Sequence, residues 1–215
     1  MNQIRAAFLE AFGSIEVLIA SDELERRWND ESCLKGSTVR GLAGHLVRAG
    51  VAPFAYLDAG PVDEAPAPAP RYYATVLSRM TAADHAEVPL RGEEMAGDAV
   101  TALRSTYGDA LASARDRLPD VADEAVISVF MDVPLTFDDY LIVRIVEILV
   151  HADDLAVSLG LPTPPAPREA MDLALEHLLA VAREQSGDQA VLIGFTRRER
   201  DEIDALRVFK EVPKS

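Results

Sequence analysis

Apolar residues recur at intervals of three and four along most of the chain, which is the period of an amphipathic α-helix. This pattern predicts helices over about 3–27, 38–58, 71–82, 97–118, 136–159 and 168–184. Thr38 or Ser37 can cap the second of these helices, and Pro53 can kink it. In the fifth helix, Thr136 begins a capping-box-like sequence and Gly160 stands where a helix commonly ends.

The remaining segments predict loops and a few short strands. Residues 60–70 are rich in proline and alanine and predict a loop. Residues 190–195 and 206–209 predict strands, and residues 124–133 predict a strand or an extended linker. We therefore expect a mostly α fold, a four-helix bundle with a short α/β C-terminal extension. The bundle should span residues 1–165, and the helix-plus-strand extension of residues 166–215 is too small to form an independent domain.

Composition narrows the class of protein. The chain has 215 residues, of which 49% are hydrophobic, and a formal net charge of −15. This charge disfavours binding to nucleic acid or to an anionic membrane surface. A small-molecule substrate is the partner expected from the candidate site described below. One cysteine, Cys33, and an N-terminus without the pattern of a signal peptide favour a cytoplasmic location. The apolar run 141–150 is too short to span a membrane.

One predicted helix carries a polar stripe on an otherwise apolar surface. Between residues 141 and 155 nearly every side chain is apolar, which is typical of a central, buried helix. Asp153 is one exception, and at ~100° per residue the other four fall within roughly an 80° arc that Tyr140 shares. They are Arg144, Glu147, His151 and Asp154. Buried charges must be paired, solvated or bound to a metal, so the stripe is the first candidate for chemistry.

Glu147 and His151 are four residues apart, so both side chains can reach one metal ion from the same face of the helix. A third ligand is needed, and His45 is the best placed, since its neighbours on the second helix are apolar or small. Gly41 and Gly44 beside it would let another helix approach closely. The other two histidines, His85 and His177, are expected to be solvated.

Other interpretations of these residues stay open at this point. Arg144, Glu147 and His151 could form an ion-pair ladder without a metal, and His45 could be a hydrogen-bonded core histidine. If a metal is present, three protein ligands leave an open position, which is the pattern of a catalytic zinc site. Two histidines and one carboxylate also suit non-haem iron(II), and nickel is a further alternative.

Two segments together resemble a known family. They are Trp28 to His45, ending Thr-Val-Arg-Gly-Leu-Ala-Gly-His, and Arg144 to Leu155, Arg-Ile-Val-Glu-Ile-Leu-Val-His-Ala-Asp-Asp-Leu. They resemble the DinB-like superfamily and, within it, the mycothiol-dependent maleylpyruvate isomerase N-terminal-domain family. The resemblance covers roughly residues 1–165 and implies a DinB-like four-helix bundle. It also implies that His45, Glu147 and His151 bind zinc.

The resemblance further implies a thiol-dependent metalloenzyme, either a transferase or a maleylpyruvate isomerase-like enzyme, with mycothiol as cosubstrate. In such a site Asp154 would orient a metal ligand and Tyr140 would line the pocket. Arg144 would keep Glu147 ionised or contact an anionic substrate. The alternative is a non-catalytic DinB-like bundle that binds a metal or a small molecule, or that forms a homodimer.

Overall fold

The computed structural model describes residues 1–60, 62–197 and 202–208. The α-helices are α1 (Gln3–Ser14), α2 (Glu16–Ile19), α3 (Asp22–Arg26), α4 (Val39–Asp58), α5 (Tyr72–Arg79), α6 (Ala82–Ala96), α7 (Val100–Arg117), α8 (Phe137–Leu159), α9 (Arg168–Ser186) and α10 (Asp188–Thr196). The strands are β1 (Val126–Val129) and β2 (Val133–Thr136). The expected mostly α fold is confirmed.

Four long helices form the bundle, because α4 packs against α7 and α8 and α1 packs against the same two helices. Helix α8 is central, and its apolar side chains are buried in the common core. Helix α9 packs against α1 and α8, and Ala170, Ala174 and Val181 join that core. The proposed division at residue 165 stays a prediction.

The start and end of α8 follow the sequence signals. The Thr136 side chain accepts a hydrogen bond from the Asp139 N–H, and Gly160 ends the helix in the left-handed conformation with φ of 69°.

The strands β1 and β2 form an antiparallel hairpin in which Val126 pairs with Thr136. The hairpin therefore leads directly into α8.

Helix α6 was not predicted, and its backbone packs closely against that of α4. A Cβ atom at Gly44 would lie 2.0 Å from the carbonyl oxygen of Gly92, and one at Gly92 would lie 2.2 Å from that of Gly41. The glycines thus allow two helix backbones to touch, as Gly41 and Gly44 had indicated. In addition, Arg40 on α4 forms an ion pair with Glu93 on α6.

The prediction of one helix over residues 3–27 is wrong, because this segment forms α1, α2 and α3. The Ser21 hydroxyl explains the last break. It donates a hydrogen bond to the Leu18 carbonyl and accepts one from the Leu24 N–H, so it ends one helical segment and caps the next.

The predicted strand at 190–195 is also wrong, since these residues lie in α10. Here Val191 is buried, whereas Leu192 and Phe195 are exposed. Among the described residues, β1 and β2 pair only with each other. A strand in this tail would therefore have no partner strand, whereas a helix forms the hydrogen bonds of its backbone internally. In the second predicted strand, Leu206 ends a 3-10 turn, and Phe209 lies outside the described residues.

The helices of the described residues bear on whether the chain could span a membrane. None of them is long and apolar enough to cross a membrane.

Candidate metal centre

Side chains from two helices of the bundle meet at one point. His45 projects from α4, and Glu147 and His151 project from α8. One ligand atom from each of the three lies within 4.8 Å of the others. The Nε2 atoms of His45 and His151 lie 3.3 Å and 3.6 Å from the same carboxylate oxygen, Glu147 Oε2. The structure therefore brings together the three residues that the sequence singled out.

The orientation of His151 is fixed by a second carboxylate. Its Nδ1 atom lies 2.9 Å from Asp154 Oδ2, one helical turn further along α8. Nδ1–H donates to Asp154, so Nε2, which faces Glu147, becomes the lone-pair donor once the charged ring releases its Nε2 proton. Asp154 is itself next to Cys33, whose exposed Sγ lies 3.2 Å from the Asp154 carbonyl oxygen.

The electrostatic environment keeps Glu147 ionised and shifts the pKa values of the two histidines in opposite directions. Burial raises the pKa of Glu147, but the charge of Arg144 and the hydrogen bonds with His151 and His45 hold it well below its usual range. Burial lowers the pKa of His45, so its ring is neutral near neutral pH. Burial also lowers the pKa of His151, but its hydrogen bonds with Asp154 and Glu147 outweigh this effect and raise the pKa to about 9.

Arg144 and Tyr140 complete the buried side of the site. The guanidinium carbon of Arg144 lies 4.8 Å from the centre of the Tyr140 ring, and Nη2 lies 3.9 Å from Glu147 Oε1. Arg144 is 7% exposed and its Nε has no hydrogen-bond partner among the described residues. The site therefore contains a buried cation that the protein neutralises only in part.

A cavity of about 250 Å³ opens on this cluster. We call it the tyrosine–arginine cavity, after the side chains Tyr56, Tyr72, Tyr140, Arg48, Arg91 and Arg144 in its wall. His45, Glu147 and His151 also line it. The rings of Tyr56 and Tyr72 meet the Tyr140 ring edge to face, with centres 5.5 Å and 6.3 Å away.

A second cavity, of about 290 Å³, contacts the same two histidines. We call it the lysine cavity, after Lys35, which lines it together with Leu34, Ser37, Leu42 and Pro89. It shares with the tyrosine–arginine cavity only His45, His151 and Val88 among its lining residues. The His45–His151 pair thus stands at the junction of two cavities.

Of the remaining histidines, His177 lies outside this cluster. His177 was expected to be solvated, which is wrong: it is 6% exposed and packs against the Tyr73 ring, and burial lowers its pKa. The amphipathic period of α9 turns His177 towards the core. The His85 side chain lies outside the described part of the structure, so its expected solvation stays a prediction.

Sequence reasoning missed several cavity residues. Arg48 lies three residues after His45 on α4, so helical spacing from His45 could have identified it. Arg91 lies on the unpredicted helix α6. Tyr72 lies on a helix that was predicted, but no periodic signal connected that helix to the site.

Comparison with known proteins gives one match. The sequence model of the mycothiol maleylpyruvate isomerase N-terminal domain matches residues 18–156, which include all three clustered residues. No curated protein and no solved structure matches the chain.

Proposed function

The chain belongs to the mycothiol maleylpyruvate isomerase N-terminal domain family, and on this basis we propose that it is a zinc-dependent enzyme. The enzyme uses a low-molecular-weight thiol, mycothiol, for transfer to or isomerisation of a small electrophile. The observation that carries the proposal is the convergence of His45, Glu147 and His151 within 4.8 Å at the junction of two cavities.

The donor set fits zinc. Two imidazole nitrogens and one carboxylate oxygen are usual zinc ligands, and three protein ligands leave a position for a substrate. His45 offers Nε2 from a neutral ring, Glu147 is ionised, and Asp154 turns the His151 Nε2 towards the other two ligands. A bound zinc ion would supply positive charge that lowers the pKa of a thiol in contact with it.

The reaction then needs no oxidant or reductant. The thiol proton passes to solvent, and the thiolate sulfur forms a bond to the electrophilic carbon. In a transfer, the leaving group departs with the electron pair of its own bond. In an isomerisation, the sulfur adds to one carbon of a double bond that is conjugated to a carbonyl group, and the π electron pair moves onto the carbonyl oxygen. The resulting carbon–carbon single bond rotates, the pair returns to re-form the double bond, and the sulfur leaves with the electron pair of the carbon–sulfur bond.

Three further residues support this chemistry in the proposal. Asp154 orients His151 by accepting its Nδ1–H, and Arg144 keeps Glu147 ionised. Tyr140 lines the cavity, and its hydroxyl group stays protonated because burial raises its pKa. Tyr140 can therefore donate a hydrogen bond to a bound electrophile.

A thiol-transfer assay tests the proposal. Zinc-loaded protein is mixed with mycothiol and chlorodinitrobenzene, and the rate of thioether formation and chloride release is followed. We expect acceleration over the uncatalysed rate that is lost on zinc removal and in the His151→Ala variant. If the protein binds zinc but accelerates the reaction of neither this electrophile nor maleate, the proposal of an enzymatic activity is contradicted. That result would favour a non-catalytic metal-binding bundle.

A further inference from the structure

The two cavities differ in charge although they meet at the same pair of histidines. Three guanidinium groups, from Arg48, Arg91 and Arg144, line the tyrosine–arginine cavity, and Glu147 is the only carboxylate among its described lining residues. In the lysine cavity, the described lining residues include Lys35 and no carboxylate or arginine. In a chain with a net charge of −15, this local excess of arginine is unusual.

Arg144 gives the strongest sign that a ligand anion belongs in the tyrosine–arginine cavity. It is buried, and among the described residues its Nε has no hydrogen-bond partner and its nearest ion-pair oxygen, Glu147 Oε1, is 3.9 Å away. A buried guanidinium N–H that lacks a hydrogen bond is costly unless an anion accepts from it. Glu147 pairs with Arg144 at 3.9 Å without a hydrogen bond, and the same carboxylate also faces His45 and His151.

The walls of this cavity suit a small acid. Its volume of about 250 Å³ lies just below the range of about 300–1,000 Å³ that is usual for drug-sized ligands. Burial raises the pKa of Tyr72 to about 12, so the hydroxyl group stays protonated and can donate to a carboxylate oxygen. The tyrosine rings provide flat apolar surfaces beside these donors.

We propose that the two cavities receive the two reactants separately. An electrophile that carries a carboxylate binds in the tyrosine–arginine cavity, and the uncharged thiol reaches the His45–His151 pair from the lysine cavity. This inference rests on the proposed function and assigns a place to each reactant. The carboxylate is held by Arg144, Arg48 and Arg91, and the sulfur meets the electrophilic carbon where the cavities join.

Two probes on the full-length, cobalt-loaded protein test this division. Fumarate serves as the carboxylate probe, and calorimetry measures its binding. Mycothiol serves as the thiol probe, and the sulfur-to-cobalt charge-transfer band reports its binding. Because Arg144→Met can also disturb Glu147, the main variants are Arg48→Met and Arg91→Met, with the exposed Arg115→Met on α7 as the matched control.

We expect Arg48→Met and Arg91→Met each to weaken fumarate binding by about tenfold or more, since each removes a charge-assisted hydrogen bond. The thiol band should be unchanged in both. Conversely, Ser37→Trp fills the lysine cavity and should abolish the thiol band while fumarate still binds. The Arg115→Met control should match the unmodified protein with both probes.

Two other results have distinct meanings. Fumarate affinity that stays within about twofold in both arginine variants, or a Ser37→Trp variant that weakens both probes equally, overturns the division of the cavities. A cobalt-loaded wild-type protein without any thiol band overturns the proposed function together with the thiol half of the division.

Discussion

The carboxylate of Asp154 lies 2.9 Å from Nδ1 of His151, one helical turn away on the same helix. This contact fixes the tautomer that a metal ligand needs, because donation of Nδ1–H leaves the lone pair on Nε2. Both residues lie on α8, so the pair is set by helical spacing and does not depend on how the helices pack. His45 reaches the site only through the packing of α4 on α8.

Asp154→Asn tests the importance of this contact. The amide keeps the size of the side chain but removes its charge, so His151 is oriented less firmly. We expect zinc affinity to fall about 10–100-fold. Competition with a chelating dye measures the change.

Asp153→Asn is the matched control for this experiment, since Asp153 is the neighbouring carboxylate and hydrogen-bonds to Thr163 at the surface. Its zinc affinity should match that of the wild type. Equal affinities in the Asp153 and Asp154 variants would show that the contact does not support metal binding.

Zinc affinity should depend on pH through His151. The pKa of this residue is raised to about 9 without metal, whereas zinc binds the neutral ring. Binding near neutral pH must therefore release about one proton from His151. Affinity should rise about tenfold for each pH unit until about pH 9 and then level off.

Calorimetry in buffers of different ionisation enthalpy measures the released protons. His45 adds little near neutral pH, because burial lowers its pKa and its ring is already neutral. Zinc binding without proton release near neutral pH would mean that His151 is not a ligand or that its pKa is not raised.

Gly44→Ala should destabilise the fold and the site together. The added Cβ would lie 2.0 Å from the Gly92 carbonyl oxygen and 2.8 Å from the Ala96 nitrogen, so α4 and α6 must separate. We expect a loss of at least about 2 kcal/mol in the free energy of unfolding. Zinc affinity should also fall, because His45 is the next residue.

Gly108→Ala on α7 is the control for helix propensity. Gly108 is exposed, and an added Cβ would meet nothing within 4 Å. We expect this variant to gain about 0.5–1 kcal/mol in stability. Urea denaturation compares the two variants, and similar stabilities would contradict the close contact between α4 and α6.

Thr136→Ala should weaken α8 without changing the site. The hydroxyl group caps the helix by accepting from the Asp139 N–H, and loss of such a cap costs about 1 kcal/mol. The residues from Glu147 to Asp154 lie several turns away, so zinc affinity should stay within about twofold.

Thr106→Ala, on an exposed face of α7, is the control. Unfolding and zinc titration of both variants measure the two effects, and a large loss of zinc affinity in Thr136→Ala alone would contradict this separation.

The sequence could predict those parts of the site that depend on one helix. The spacing of Arg144, Glu147 and His151 placed them on one face of α8. His45 needed the additional support of a family resemblance, because no local rule relates a residue on α4 to one on α8.

The errors also have physical causes. Helix α6 contains Pro89 and Gly92, which usually mark breaks, but Gly92 serves close helix packing there. The apolar run 190–195 has the composition of a strand, yet a strand needs a partner that periodicity cannot reveal.

Metal analysis of the purified protein tests the central claim most directly. Protein prepared without added metal, and again after reconstitution, is analysed by mass spectrometry for zinc, iron and nickel. We predict about one equivalent of zinc in the wild type and in Asp153→Asn, and less than ~0.2 equivalents in the His45→Ala, Glu147→Ala and His151→Ala variants. A wild-type protein that holds less than ~0.2 equivalents of any of these metals after reconstitution, or no more than His151→Ala, would contradict the metal centre.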